Sequence, residues 1–71
     1  MLSIDEKEDR FARATEGVEL SADEEYVLRK DMGLPANKPD GFPQGNTEQE
    51  KAQIKAIRTN AWAKMDTSAL T

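Results

Sequence analysis

Hydrophobic side chains recur along this chain at the spacing of α-helices. The clearest stripe lies in its last third, where apolar positions fall three or four residues apart or flank that pattern: Ile54, Ile57, Ala61, Trp62 and Met65. This period places the residues on one face of a helix. Two weaker helical stretches precede it, and no alternating strand pattern of useful length occurs. The pattern predicts helices at about residues 4–15, 22–31 and 48–65.

Each predicted helix begins with a capping box, in which a Ser or Thr is followed three residues later by Glu. The three pairs are Ser3 with Glu6, Ser21 with Glu24, and Thr47 with Glu50. Such pairs satisfy the free amides at a helix start. Gly17 and Gly33 are suited to end the first two helices, because Gly adopts positive φ at little cost. We therefore predict an all-α fold, either a loose bundle or a helical hairpin plus a third helix.

A segment rich in Pro, Gly and Asn, residues 34–46, separates the third helix from the first two. Its length is at the upper end for a connection without secondary structure in a small domain, which favours a functional segment or an extended arm. The run Lys38-Pro39-Asp40-Gly41 predicts a type I turn with Pro at the second position. Phe42 follows the turn, and we expect it to be exposed or to contact a partner.

The predicted organisation is one small domain with four parts. These are an acidic helical hairpin (1–33), a Pro/Gly-rich arm (34–46), a third helix (47–66) and a frayed tail (67–71). Leu, Ile, Val and Phe make up only 12 of the 71 residues. A chain this short with so few large apolar residues forms a marginal core. A partner that covers exposed apolar side chains would supply the missing stability.

Catalysis and metal binding find little support in the composition. The chain contains neither His nor Cys, which removes the usual nucleophile and base pairs and any Cys/His metal site. We predict no catalytic residue, no cofactor and no metal. No apolar run is long enough to span a membrane, and the first residues do not resemble a secretory signal. The expected location is the cytoplasm or a virion, not a membrane or the exterior.

Charge is unevenly distributed. Residues 1–33 contain ten acidic against five basic residues, whereas residues 34–71 contain four against five. The basic residues Lys51, Lys55 and Arg58 on the third helix allow a DNA-binding interpretation, but a net charge of −4 opposes it. The acidic half allows partial DNA mimicry, with these carboxylates displayed: Asp5, Glu6, Glu8, Asp9, Glu16, Glu19, Asp23, Glu24 and Glu25. Basic residues interrupt that series, so a charged, solvated surface explains it better.

The function that fits best is a non-catalytic accessory or adaptor protein that binds a larger protein or assembly, such as a minor phage virion component. The alternatives are a small acidic inhibitor of a host protein and, second, a small helical DNA-binding protein. Self-association is also compatible with the sequence. The predicted partner-binding residues are of types common at interfaces or lie in the arm: Phe42, Pro39, Pro43, Trp62, Tyr26, Phe11 and Met65. For Phe11 and Trp62, a place in the core is the favoured alternative.

Overall fold

Three α-helices form the architecture of the part of the chain that the structure describes. A computed structural model describes residues 3–65, which contain α1 (Ile4–Ala14), α2 (Ala22–Asp31) and α3 (Glu48–Lys64), and no β-strand. The all-α prediction is confirmed, and the helix bounds differ from those predicted by one residue at the ends of α1 and α3. The predicted tail, residues 67–71, lies outside the described residues.

Side-chain caps begin all three helices as the sequence predicts. The Ser3, Ser21 and Thr47 hydroxyls each accept from the backbone N–H three residues later. In α2 and α3 the Glu carboxylate also accepts from the backbone N–H of the cap residue, which completes the box. The complete box predicted for α1 is not formed, because the Glu6 carboxylate accepts from the Ser3 hydroxyl instead. The exposed amides at these helix starts are therefore satisfied within the local sequence.

The first two helices contact each other through the Arg29 side chain of α2. Glu8 in the middle of α1 pairs with Arg29 near the end of α2, with 2.8 Å between Oε1 and Nη1. The Arg29 guanidinium also lies 5.3 Å from the centre of the Phe11 ring. An ion pair and a cation–π contact on one side chain thus hold the two helices together.

The third helix packs along α2 in the opposite direction. Lys64 at its end donates to Glu24 at the start of α2, at 2.8 Å, while Arg58 and Trp62 both donate to Asp31 at the end of α2. The second half of α3, residues 58–64, therefore faces α2.

A small apolar cluster lies where the three helices meet. Its buried members are Phe11, Ala14, Leu28, Leu34, Ala61 and Met65, with Leu20, Met32 and Trp62 packed against them. Among residues 3–65, Leu28 is the largest side chain with no exposure to solvent. Only a few large side chains contribute, which agrees with the lean composition.

A Schellman motif joins α2 to the arm. The Gly33 N–H donates to the Lys30 carbonyl and the Leu34 N–H to the Arg29 carbonyl, with Gly33 at φ +77°. This pattern needs a residue with positive φ, and it turns the following side chain back onto the helix. Leu34 therefore enters the apolar cluster and anchors the first residue of the arm.

The predicted turn in the arm is displaced by one residue. The Phe42 N–H donates to the Pro39 carbonyl at 3.2 Å, so Pro39 occupies the first turn position and Asp40 and Gly41 the centre. Gly41 has φ +80°, as the third position of a type II turn requires. The prediction of a type I turn over residues 38–41 is therefore wrong, because the closing hydrogen bond joins Pro39 and Phe42 and places Gly41 third instead of last in the turn.

Candidate functional site

The arm folds back onto α2 through an aromatic pair. The rings of Tyr26 and Phe42 lie 4.9 Å apart at an interplanar angle of 69°, an edge-to-face arrangement. Phe42 is only 9% exposed. The expectation that Phe42 would be exposed is therefore wrong: the turn directs its ring onto α2, where burial and the aromatic contact stabilise it.

Arg29 fastens the first part of the arm to the same helix. Its Nε donates to the Pro35 carbonyl at 2.8 Å while its Nη1 reaches Glu8. One half-buried side chain thus connects α1, α2 and the arm. Because the guanidinium presents donors in a fixed planar geometry, it holds all three segments at once.

Between α2 and the arm lies an open groove of about 630 Å³, which we call the α2–arm groove. One side is lined by residues of α2, namely Ala22, Glu25, Tyr26 and Arg29. The other side is lined by residues of the arm, namely Pro35, Ala36, Asn37, Lys38, Pro39 and Asp40. Its apolar surface comes from a Tyr, two prolines and two alanines, and charged side chains of both signs stand around it. Such a mixture suits a peptide segment better than a highly charged ligand.

The structure distributes the predicted partner-binding residues between the interior and the surface. Phe11, Phe42 and Met65 are buried, and Trp62 is half-buried against the apolar cluster. Tyr26 and Pro39 are half-buried and line the α2–arm groove, and Pro43 is half-buried beyond it. Two of the seven predicted residues are thus brought together on one open surface.

A second open groove, of about 600 Å³, lies along residues 51–59 of α3, and we call it the α3 groove. It is lined by Gly45, Lys51, Ile54, Lys55, Arg58 and Thr59. Sequence reasoning grouped Lys51, Lys55 and Arg58 as a possible nucleic-acid face and assigned Ile54 to the apolar stripe of α3, but it did not combine them into one surface. A signal was present, since Lys51, Ile54, Lys55 and Arg58 follow the three-to-four-residue spacing of one helix face.

The start of α3 is built around the Glu50 carboxylate. Its oxygens accept from the backbone N–H groups of Gln44, Asn46 and Thr47 at 3.2–3.3 Å. These hydrogen bonds, that of Gln44 foremost, lower the pKa of Glu50 below its ordinary value. The end of the arm is thereby fixed to the helix, and Gly45 is held beside Ile54.

Residues 3–65 offer no cluster of three or more acidic, His or Cys side chains suited to hold a metal ion. Within the same residues, no helix combines the length and apolar character that crossing a membrane requires.

Comparisons of the chain with protein-family models, with curated proteins and with solved structures found no match.

Proposed function

We propose that this chain is a non-catalytic accessory protein that binds a larger protein or assembly through its α2–arm groove. The observation that carries the proposal is that Tyr26 and Pro39, two residues of the predicted binding set, line one open surface. The cytoplasm or a virion is the proposed site of action.

Rigidity of the groove supports the proposal. The arm is fixed at its start by Leu34 and the Arg29–Pro35 hydrogen bond, and at its end by the Phe42 ring and the Glu50 carboxylate. A surface that is already ordered loses little conformational entropy on binding. Tyr supplies a large contact area with few rotatable bonds, a property typical of binding hot spots.

The proposed occupant is an extended segment of the partner protein. An apolar side chain of that segment would rest on Tyr26 between Pro35 and Pro39. Its polar flanks would meet charges of both signs on the groove, such as Glu25 and Lys38. We expect little dependence of this binding on salt, because the groove has no dominant charge.

Affinity capture from the native lysate tests the proposal when it compares two matched variants. Ala36→Arg places a long charged side chain into the groove, whereas Ala56→Arg makes the same change at an exposed position of α3 outside it. We expect a stoichiometric partner to be captured by the wild type and by Ala56→Arg, and lost with Ala36→Arg. Circular dichroism should show equal helicity for all three chains.

Two results would contradict the proposal. One is the absence of any stoichiometric partner with a folded chain, and the other is a partner that both variants retain. The nature of the captured partner separates an assembly component from an inhibitor. An assembly component should occur in stoichiometric amounts in purified particles. An inhibitor should be free and bind one regulated target.

A further inference from the structure

The α3 groove combines an apolar floor with positive charge. Ile54 forms the floor beside Gly45, where an added Cβ would lie 3.3 Å from Ile54 Cδ1. Three basic residues surround it. Arg58 is held by Asp31 and Lys51 lies 3.5 Å from Glu48, but Lys55 has no hydrogen bond or ion pair within residues 3–65. The groove is thus suited to an acidic segment with an apolar anchor.

The first turn of α1 has the complementary character. Ile4 is 51% exposed, and it is the large hydrophobic side chain that residues 3–65 leave exposed to solvent. Asp5 follows it, and no other residue between 3 and 65 forms an ion pair or hydrogen bond with the Asp5 side chain. Glu8 lies one helical turn further on, and 46% of its side chain is exposed despite its pairing with Arg29.

We propose that the first turn of α1 of one molecule binds the α3 groove of a second copy of this chain. Ile4 then packs against Ile54, and Asp5 faces Lys55. In both segments the apolar residue is followed directly by the unpaired charge, and the two charges have opposite signs. This contact buries an exposed Ile and pairs a carboxylate and an ammonium that have no partner within the described residues.

The proposed contact is head-to-tail. Each molecule that offers its α1 turn keeps an empty α3 groove, so association continues into short chains or a closed ring. One helical turn against an open groove is a small interface, and such contacts are weak. The association should therefore depend on protein concentration and weaken as salt is raised, because its charges are exposed.

Nucleic acid fits the α3 groove less well. The apolar floor offers nothing to a phosphate, and two of the three basic residues, Lys51 and Arg58, are already paired with Glu48 and Asp31. The proposal is also independent of the proposed function, since the two grooves share no lining residue.

Sedimentation velocity over a range of concentrations tests the proposal with two variants of the full chain. Ile4→Ala removes the apolar anchor, and Lys55→Glu reverses the free charge of the groove. Both positions are exposed, so the fold should be retained, and circular dichroism checks this. We expect each variant alone to associate about tenfold more weakly than the wild type.

Mixing the two variants gives the sharpest result. Lys55→Glu retains an intact α1 turn and Ile4→Ala an intact groove, so the mixture should form heterodimers but no longer chains. Lys30→Glu makes the same charge change on α2, outside both grooves, and should associate like the wild type.

Three outcomes would overturn the proposal. The first is a wild type that stays monomeric at every concentration, and the second is association that neither variant weakens. The third is a DNA duplex or an acidic peptide of another sequence that binds the groove and loses affinity with Lys55→Glu while the chain itself stays monomeric.

Discussion

Replacing Phe42 by Ala tests whether the arm is docked on α2. Burying a Phe side chain contributes about 1.5–3 kcal/mol, and an edge-to-face partner adds about 0.5–1.5 kcal/mol. Phe42 lies outside the main apolar cluster, so the arm can detach while Leu34 and Leu28 remain packed. The loss should therefore fall at the lower end of the combined range, about 2 kcal/mol.

Urea unfolding followed by circular dichroism and by Trp62 fluorescence measures this loss. For a small domain, about 2 kcal/mol lowers the urea midpoint by about 1–2 M. Phe42→Leu keeps most of the apolar burial and should lose only about 0.5–1.5 kcal/mol. Lys38→Ala, at an exposed position of the same arm, is the control and should leave the midpoint nearly unchanged.

A double-mutant cycle then isolates the aromatic pair. Changing Tyr26 and Phe42 to Leu, singly and together, should give a coupling free energy of about 0.5–1.5 kcal/mol. A midpoint that Phe42→Ala leaves unchanged within error, or a coupling free energy of zero, would contradict this prediction. Either result would mean that the ring is not seated on α2.

Three further perturbations address the remaining contacts. The hydrogen bond from Lys64 lowers the pKa of Glu24 in the folded chain. The stability that this ionised carboxylate contributes is therefore present above the ordinary carboxyl value of 4.5 and is lost as pH falls through the lowered folded value. Urea midpoints measured against pH should fall less steeply at acid pH for Glu24→Gln than for the wild type. Asp31→Ala removes the acceptor shared by Arg58 and Trp62, and should cost about 1–2 kcal/mol and change Trp fluorescence; unchanged fluorescence would contradict this. Gly33→Ala forces a side chain into φ +77° and should cost about 1–2 kcal/mol in a thermal melt, whereas a neutral substitution would argue against the Schellman motif.

Helix positions could be predicted from the sequence because their signals are local. Each cap uses two side chains three residues apart, and Gly33 ends α2 by its own backbone preference. These interactions form within one or two turns of chain and need no tertiary contact. The bounds of α2 were therefore predicted without error, and those of α1 and α3 to within one residue.

The candidate binding surfaces could be predicted only in part. Residue type identified Tyr26 and Pro39 as interface candidates, but the same reasoning selected Phe11 and Met65, which the cluster buries. Aromatic and Met side chains serve both cores and interfaces, so their type alone cannot separate the two uses. Contacts between distant segments decide which of them remain accessible.

The sequence by itself determined the all-α class, the three helix starts and the lean core, because capping, periodicity and composition act locally or on the whole chain. Only the tertiary structure decided that Phe42 is buried and that Ile54 is not. Phe42 is buried because the turn at Gly41 directs the arm onto Tyr26. Ile54 remains half-exposed because the 17-residue α3 extends beyond the ten-residue α2, which covers only the second half of that helix.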